Sequence, residues 1–236
     1  MKFHIYYILL DTEIVDIGIS YGYYGNNFPN NNGDSNYVHQ VYINMQPLKI
    51  VLIGPIRSGK TTIANFLADA TEVPYDYYPT QGARILEFEV NNISADNKYI
   101  TKDIELWDCS GDHKFENCWP AIRKDLHGVI LVYSERSNDC LKVLQQLYDY
   151  FIDQIKLGPD KCVIFCYDPE NKNPEISKII SSTFVKVSHV KCNIESGGNK
   201  LRADFSAFLS TILSKMHNYN EQEDKNTSIN SILFTK

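Results

Sequence analysis

The segment Gly54-Pro55-Ile56-Arg57-Ser58-Gly59-Lys60-Thr61 constrains this chain more than any other stretch in it. It fits G-x-x-x-x-G-K-[ST] and stands between an apolar β-branched run, Leu48 to Ile53, and a helical pattern that begins at Lys60. Strand, glycine loop and helix in that order make successive backbone N–H groups converge on one point, and the helix N-terminus adds its dipole. Such a loop is a cradle for an anionic phosphate. Gly54 and Gly59 let it close tightly, and Arg57, Ser58 and Thr62 complete it. Lys60 then reaches the β- and γ-phosphates as a mobile charge, while the Thr61 hydroxyl is placed to ligate Mg²⁺.

From Leu48 onward, short apolar runs alternate with longer helical patterns, the signature of an α/β sheet with crossover helices. Strands are expected at Leu48 to Ile53, Ala83 to Val90, Tyr99 to Trp107, Gly128 to Tyr133, Cys162 to Tyr167 and Thr183 to Ser188. Helices are expected at Lys60 to Ala70, Lys114 to Asp125, Asn138 to Ile155 and Asn199 to His217, with a weaker one at Pro174 to Ile180. Only Asn91 to Lys98 separates the second and third strands, too short for a crossover, so those two form an antiparallel hairpin. The expected architecture is a six-stranded, mostly parallel sheet with one antiparallel strand and helices on both faces.

The flanks differ in texture. Residues 1 to 44 scatter tyrosines among asparagines and glycines with no sustained period, which predicts a poorly ordered extension. Met45 stands directly before the first well-formed strand, so translation from Met45 is the alternative. The apolar run Phe3 to Leu10 is interrupted by Asp11, Glu13 and Asp16 and lacks a small-residue cleavage site, unlike a signal peptide. Residues 45 to 217 form the domain, and the polar, acid-rich residues 218 to 236 are expected to be a disordered tail. Ser231 to Lys236 offers no cysteine for a prenyl group, so no lipid anchor is expected. A net charge of -6 gives no electrostatic reason to bind nucleic acid. The six cysteines are irregularly spaced and read as reduced thiols without a zinc site.

Motifs further along narrow the chemistry. Thr80 lies in the loop Tyr77-Tyr78-Pro79-Thr80-Gln81-Gly82, and the third strand ends Trp107-Asp108-Cys109-Ser110-Gly111, which fits D-x-x-G. In that pattern Asp108 holds the metal through water, the Gly111 amide faces the γ-phosphate, and Thr80 joins Thr61 as a metal ligand when a triphosphate is bound.

On these residues the chain resembles a Ras-superfamily small GTPase with its P-loop fold. It is most similar to the Rab-like subunit of the ciliary intraflagellar transport B complex. The blocks that carry the closer resemblance are Tyr78-Pro79-Thr80-Gln81-Gly82-Ala83-Arg84-Ile85-Leu86-Glu87-Phe88-Glu89 and Glu105-Leu106-Trp107-Asp108-Cys109-Ser110-Gly111-Asp112-His113-Lys114-Phe115. They span a resemblance from about Met45 to His217. It implies GTP or GDP with Mg²⁺ as ligands and the coiled-coil subunits of intraflagellar transport complex B as partners. It also implies a place in the cytoplasm, the cilium and the basal body.

Three positions depart from a working GTPase of that superfamily. The residue after the D-x-x-G glycine, a water-orienting Gln in typical members, is Asp112, whose charge repels both the γ-phosphate and a developing hydroxide. No residue is therefore assigned as catalytic. Ile56 places a branched side chain where an arginine finger would enter. No N-K-x-D follows the fifth strand, which runs on as Tyr167-Asp168-Pro169 with Asn171-Lys172 too late. Asp168 either substitutes in reading the guanine edge or is a turn aspartate before Pro169, and both remain open. The S-A-K motif after the last strand is also absent, with Ser188-His189-Val190 in that neighbourhood.

Three function classes compete: a GTP-loaded binding module with slow or absent hydrolysis, a GTPase that cycles with regulators in vesicle or ciliary trafficking, and an ATPase or kinase. Asp112 and Ile56 favour the first over the second. The lack of a kinase-type lid or acceptor domain disfavours the third.

Overall fold

The computed structural model describes residues 4–8, 46–70, 78–95, 98–134, 140–170 and 182–233. The strands are β1 (His4–Ile8), β2 (Leu48–Ile53), β3 (Ala83–Ala95), β4 (Lys98–Cys109), β5 (Gly128–Tyr133), β6 (Cys162–Tyr167) and β7 (Ser188–Cys192). The helices are α1 (Lys60–Leu67), α2 (Trp119–Arg123), α3 (Cys140–Tyr148) and α4 (Ile194–Leu233). The strands form one sheet in the order β1-β3-β4-β2-β5-β6-β7. The first five expected strands are in it, and the sheet is parallel from β4 across β2, β5 and β6 to β7, with β3 antiparallel to β4 as the short connection requires.

Period-two alternation gives each strand two buried faces. Along β2, Leu48, Ile50 and Leu52 pack with Ile63 and Leu67 of α1 and with Leu201, Phe205, Leu209 and Ile212 of α4. Val51 and Ile53 face the other way, against Ile122, Leu144, Leu147 and Phe151. Helices thus cover both faces, and the ends of β2 and β4 open onto the loops that carry the chemistry.

Several expectations are corrected. A seventh strand, β1, lies antiparallel to β3 with His4 opposite Glu87 and Ile8 opposite Ala83, inside the stretch expected to be poorly ordered. Five residues are too few to show a period, and their pairing is decided by the open edge of β3 rather than by local preference. The backbone of α4 is helical to Leu233, past the expected end at His217, with a break at Gly197. Extending an existing helix needs no new nucleus, and Glu221, Gln222, Glu223 and Lys225 suit it. The helix expected over Lys114 to Asp125 is split into a 3₁₀ segment, His113–Cys118, and α2, because Pro120 brings no N–H to a continuous ladder. After α3 the turns widen over Asp149–Asp153 and place Phe151 and Ile152 in the core.

The last strand is displaced by about one turn of chain. Ser182–Lys186 is a 3₁₀ segment, and β7 follows it with Ser188 opposite Val163 and Cys192 opposite Tyr167. The weaker helix at Pro174 to Ile180 lies outside the described residues. All six cysteines are free thiols, five of them buried. Among the described residues no helix is long and apolar enough to cross a membrane.

Candidate functional site

The loop between β2 and α1 is closed around its own lysine. Lys60 Nζ donates to the carbonyls of Gly54 (2.9 Å) and Pro55 (2.6 Å) and to Ser58 Oγ (3.4 Å). Its side chain is buried, and burial lowers its amine to about 8 despite the nearby Asp108 charge. Gly59 caps α1 with φ +92°, a left-handed conformation that a side chain would strain. The Tyr167 ring lies against this glycine. Gly111 approaches the loop so closely that a Cβ there would stand 2.4 Å from the Gly54 carbonyl oxygen. The D-x-x-G turn and the glycine loop therefore meet backbone to backbone, as required of groups that share one phosphate chain.

Arg57, Ser58, Gly59, Lys60, Thr61, Thr62, Thr80 and Gly111 line a single cavity of about 820 Å³, with Gly54 beneath it. At its floor three oxygen-bearing side chains converge. Thr61 Oγ1 and Thr80 Oγ1 are 3.0 Å apart, and Thr80 Oγ1 donates to Asp108 Oδ2 at 3.4 Å. Asp108 is fully buried and its Oδ1 has no hydrogen-bond partner. An orphaned carboxylate oxygen beside two hydroxyls is a hard donor set, and it fits a Mg²⁺ ion that completes its shell with phosphate oxygens and water. Burial raises the Asp108 carboxyl above the ordinary range, while Arg84, the Thr61 hydroxyl and Lys60 pull it back.

Comparison with known proteins bears on this geometry. The family profile of the Ras of Complex, Roc, domain of DAPkinase matches residues 49–178. The intraflagellar transport protein 22 homolog of Rattus norvegicus is 36% identical over 181 residues, covering 76% of this chain and 97% of that protein. The chain belongs to the intraflagellar transport protein 22 family of Ras-like GTPases. Its fold matches the T. brucei IFT22/74/81 GTP-bound crystal structure with a TM-score of 0.60 at 23% identity, covering 74% of this chain and 99% of that one. The T. brucei IFT22 GDP-bound crystal structure matches with a TM-score of 0.52 at 22% identity, covering 72% and 97%.

Against this family background, Asp112 has a structural task of its own. Its carboxylate accepts from the Lys114 backbone N–H at 3.1 Å and caps the 3₁₀ segment, while Lys114 Nζ stands 3.4 Å away. These contacts, the backbone bond first, hold its carboxyl below the usual range and keep it ionised. Ile56 is half exposed at the mouth of the cavity.

The far end of the site is built differently. Asp168 follows β6 but does not line the cavity, and its carboxylate is 3.2 Å from Lys191 Nζ. Because β7 ends at Cys192, Ser188, His189 and Val190 lie within the strand, and Asn193 alone connects it to α4. Asn193 Nδ2 donates to the carbonyls of Asp168 (3.0 Å) and Pro169 (3.2 Å), and its Oδ1 accepts from the Ser196 N–H at 2.9 Å. Asn171 and Lys172 lie outside the described residues.

Sequence reasoning missed Arg84, Tyr167 and Asn193. Arg84 left a signal, as a cation inside the apolar run Ala83-Arg84-Ile85-Leu86. Its place opposite Asp108 could not be counted back from the hairpin turn, because a bulge between Val90 and Ile93 shifts the register.

Proposed function

We propose that this chain is a GTP-loaded binding module of the intraflagellar transport machinery, in which nucleotide stabilises a docking surface and is hydrolysed slowly or not at all. The observation that carries it is the dual condition of the site. The groups that hold phosphate converge, while the water-orienting position is occupied by an ionised Asp112 engaged as a helix cap. Gly54, Arg57, Ser58, Gly59, Lys60, Thr61, Thr62 and Gly111 cradle the phosphates, and Thr61, Thr80 and Asp108 hold Mg²⁺. The metal supplies neutralisation of phosphate charge when bound. Thr80, on the loop before β3, ties that loop to the loaded state and so links nucleotide to the surface offered to a partner.

The partners proposed are the coiled-coil subunits of intraflagellar transport complex B, and the place of action is the cytoplasm, cilium and basal body. The relation to intraflagellar transport protein 22 homologues supports this, as does the fold shared with the T. brucei IFT22/74/81 GTP-bound complex. The test is to purify the protein gently, denature it and identify the released nucleotide by chromatography. GTP is expected. GDP would favour a cycling GTPase, and ATP or ADP would reject the guanine assignment.

A further inference from the structure

The proposed function makes no use of Arg84, yet this side chain makes the closest charged contact to the proposed metal site. It lies in β3 directly opposite Asp108 of β4. Its Nη2 donates to Asp108 Oδ2 at 3.1 Å and to Asn65 Oδ1 of α1 at 2.7 Å. The side chains of the pair are 7% and 0% exposed. The two carboxylate oxygens are thus divided. Oδ2 carries Arg84 and Thr80, and Oδ1 has no partner within the protein.

A buried carboxylate whose counter-charge is removed is strongly disfavoured, so a site that relies on Mg²⁺ alone is destabilised when the metal leaves. Here a guanidinium that cannot lose its proton stays in contact with the carboxylate whether or not metal is present. The same fixed charge opposes the approach of a divalent ion. Asn65 holds the guanidinium in place, so it does not swing away at little cost.

We propose that Arg84 is a built-in counter-cation for Asp108 and makes nucleotide retention by this chain only weakly dependent on Mg²⁺, an inference that rests on the nucleotide reading above. Arg84 acts through Asp108 and is a positioning residue.

The test uses the full chain loaded with mant-GTP, with release followed into excess unlabelled GTP in the presence of MgCl₂ and again in EDTA. The readout is the ratio of the two rates, because damage to the fold raises both rates and leaves the ratio unchanged. For the wild type, EDTA is expected to speed release by less than about tenfold. In Arg84→Gln the ratio is expected to rise by about ten- to a hundredfold, the worth of a charged hydrogen bond. Arg84→Lys keeps the charge and is expected to stay near the wild-type ratio. A wild-type ratio above about tenfold, or equal ratios in wild type and Arg84→Gln, overturns the proposal. If Arg84→Gln does not fold, the wild-type and Arg84→Lys ratios decide the matter. A wild type that fails to retain mant-GTP even with MgCl₂ overturns the nucleotide reading itself, and that result is distinguishable because it does not depend on EDTA.

Discussion

The two ends of the site are built from the same fold by opposite means. At the phosphate end, backbone groups of the glycine loop, the Gly111 turn, Lys60 and two threonines meet around one cavity. At the other end, beyond β6, Asp168 is paired with Lys191, and Asn193 uses its amide to tie two backbone carbonyls. The first end gathers charge and hydroxyls around an open cavity beside an unpartnered carboxylate oxygen, and the second spends its polar groups away from that cavity. On the proposed reading of the site, phosphate affinity and base selectivity are separable properties of this scaffold. A chain can keep the electrostatic machinery that holds a nucleotide while the strand ends that read its base take on structural work.

The largest effect that would sharpen this contrast is Lys60→Ala. It removes a buried ammonium from the phosphate end, and a fluorescent-nucleotide titration is expected to show affinity lowered by about a hundredfold or more. Unchanged affinity would remove the electrostatic basis of the comparison.

Next in size is a pH effect at the same residue. In the empty site burial lowers Lys60 to about 8, and a phosphate beside it raises that value, so binding takes up a proton. Below pH 8 the free site is already charged and affinity should be flat. Above it, affinity should fall by up to about tenfold per pH unit, measurable by titration from about pH 7 to about pH 9.5. A flat profile across that range would show that Lys60 keeps its ordinary basicity.

The smallest expected effect belongs to the base end. A carboxylate that reads a base by buried hydrogen bonds contributes discrimination on the order of 10⁴. Asp168 is already committed to Lys191, so Asp168→Asn should change the ratio of GTP to ATP affinity by less than about threefold in competition binding. A larger change would show that Asp168 leaves Lys191 to engage the base, and the contrast between the ends would weaken.

The phosphate end was legible in the sequence because its signals are local. A glycine loop between a strand and a helix, and an aspartate with a glycine three residues on, are fixed by short-range geometry. The hairpin of β3 and β4 followed from connection length alone. What stayed hidden depends on register between distant strands. Thr183 to Ser188 and Ser188 to Cys192 offer similar apolar patterns, and only pairing with β6 selects the second as the strand. The Arg84 to Asp108 contact is likewise a product of register, and β1 depends on a partner edge far along the chain. Asp112 was read as a departure at the water-orienting position, but its use as a cap appears only when the Lys114 N–H is seen to meet it.

The central claim is that the site retains nucleotide but does not position water for attack. Single-turnover hydrolysis of bound GTP by the wild-type chain, without any partner, tests it most directly. The rate is expected at or below the intrinsic scale of Ras-type proteins, about 3 to 5 × 10⁻⁴ per second, and Asp112→Gln is expected to raise it. A wild-type rate well above that scale would show that another residue orients the water and would contradict the account.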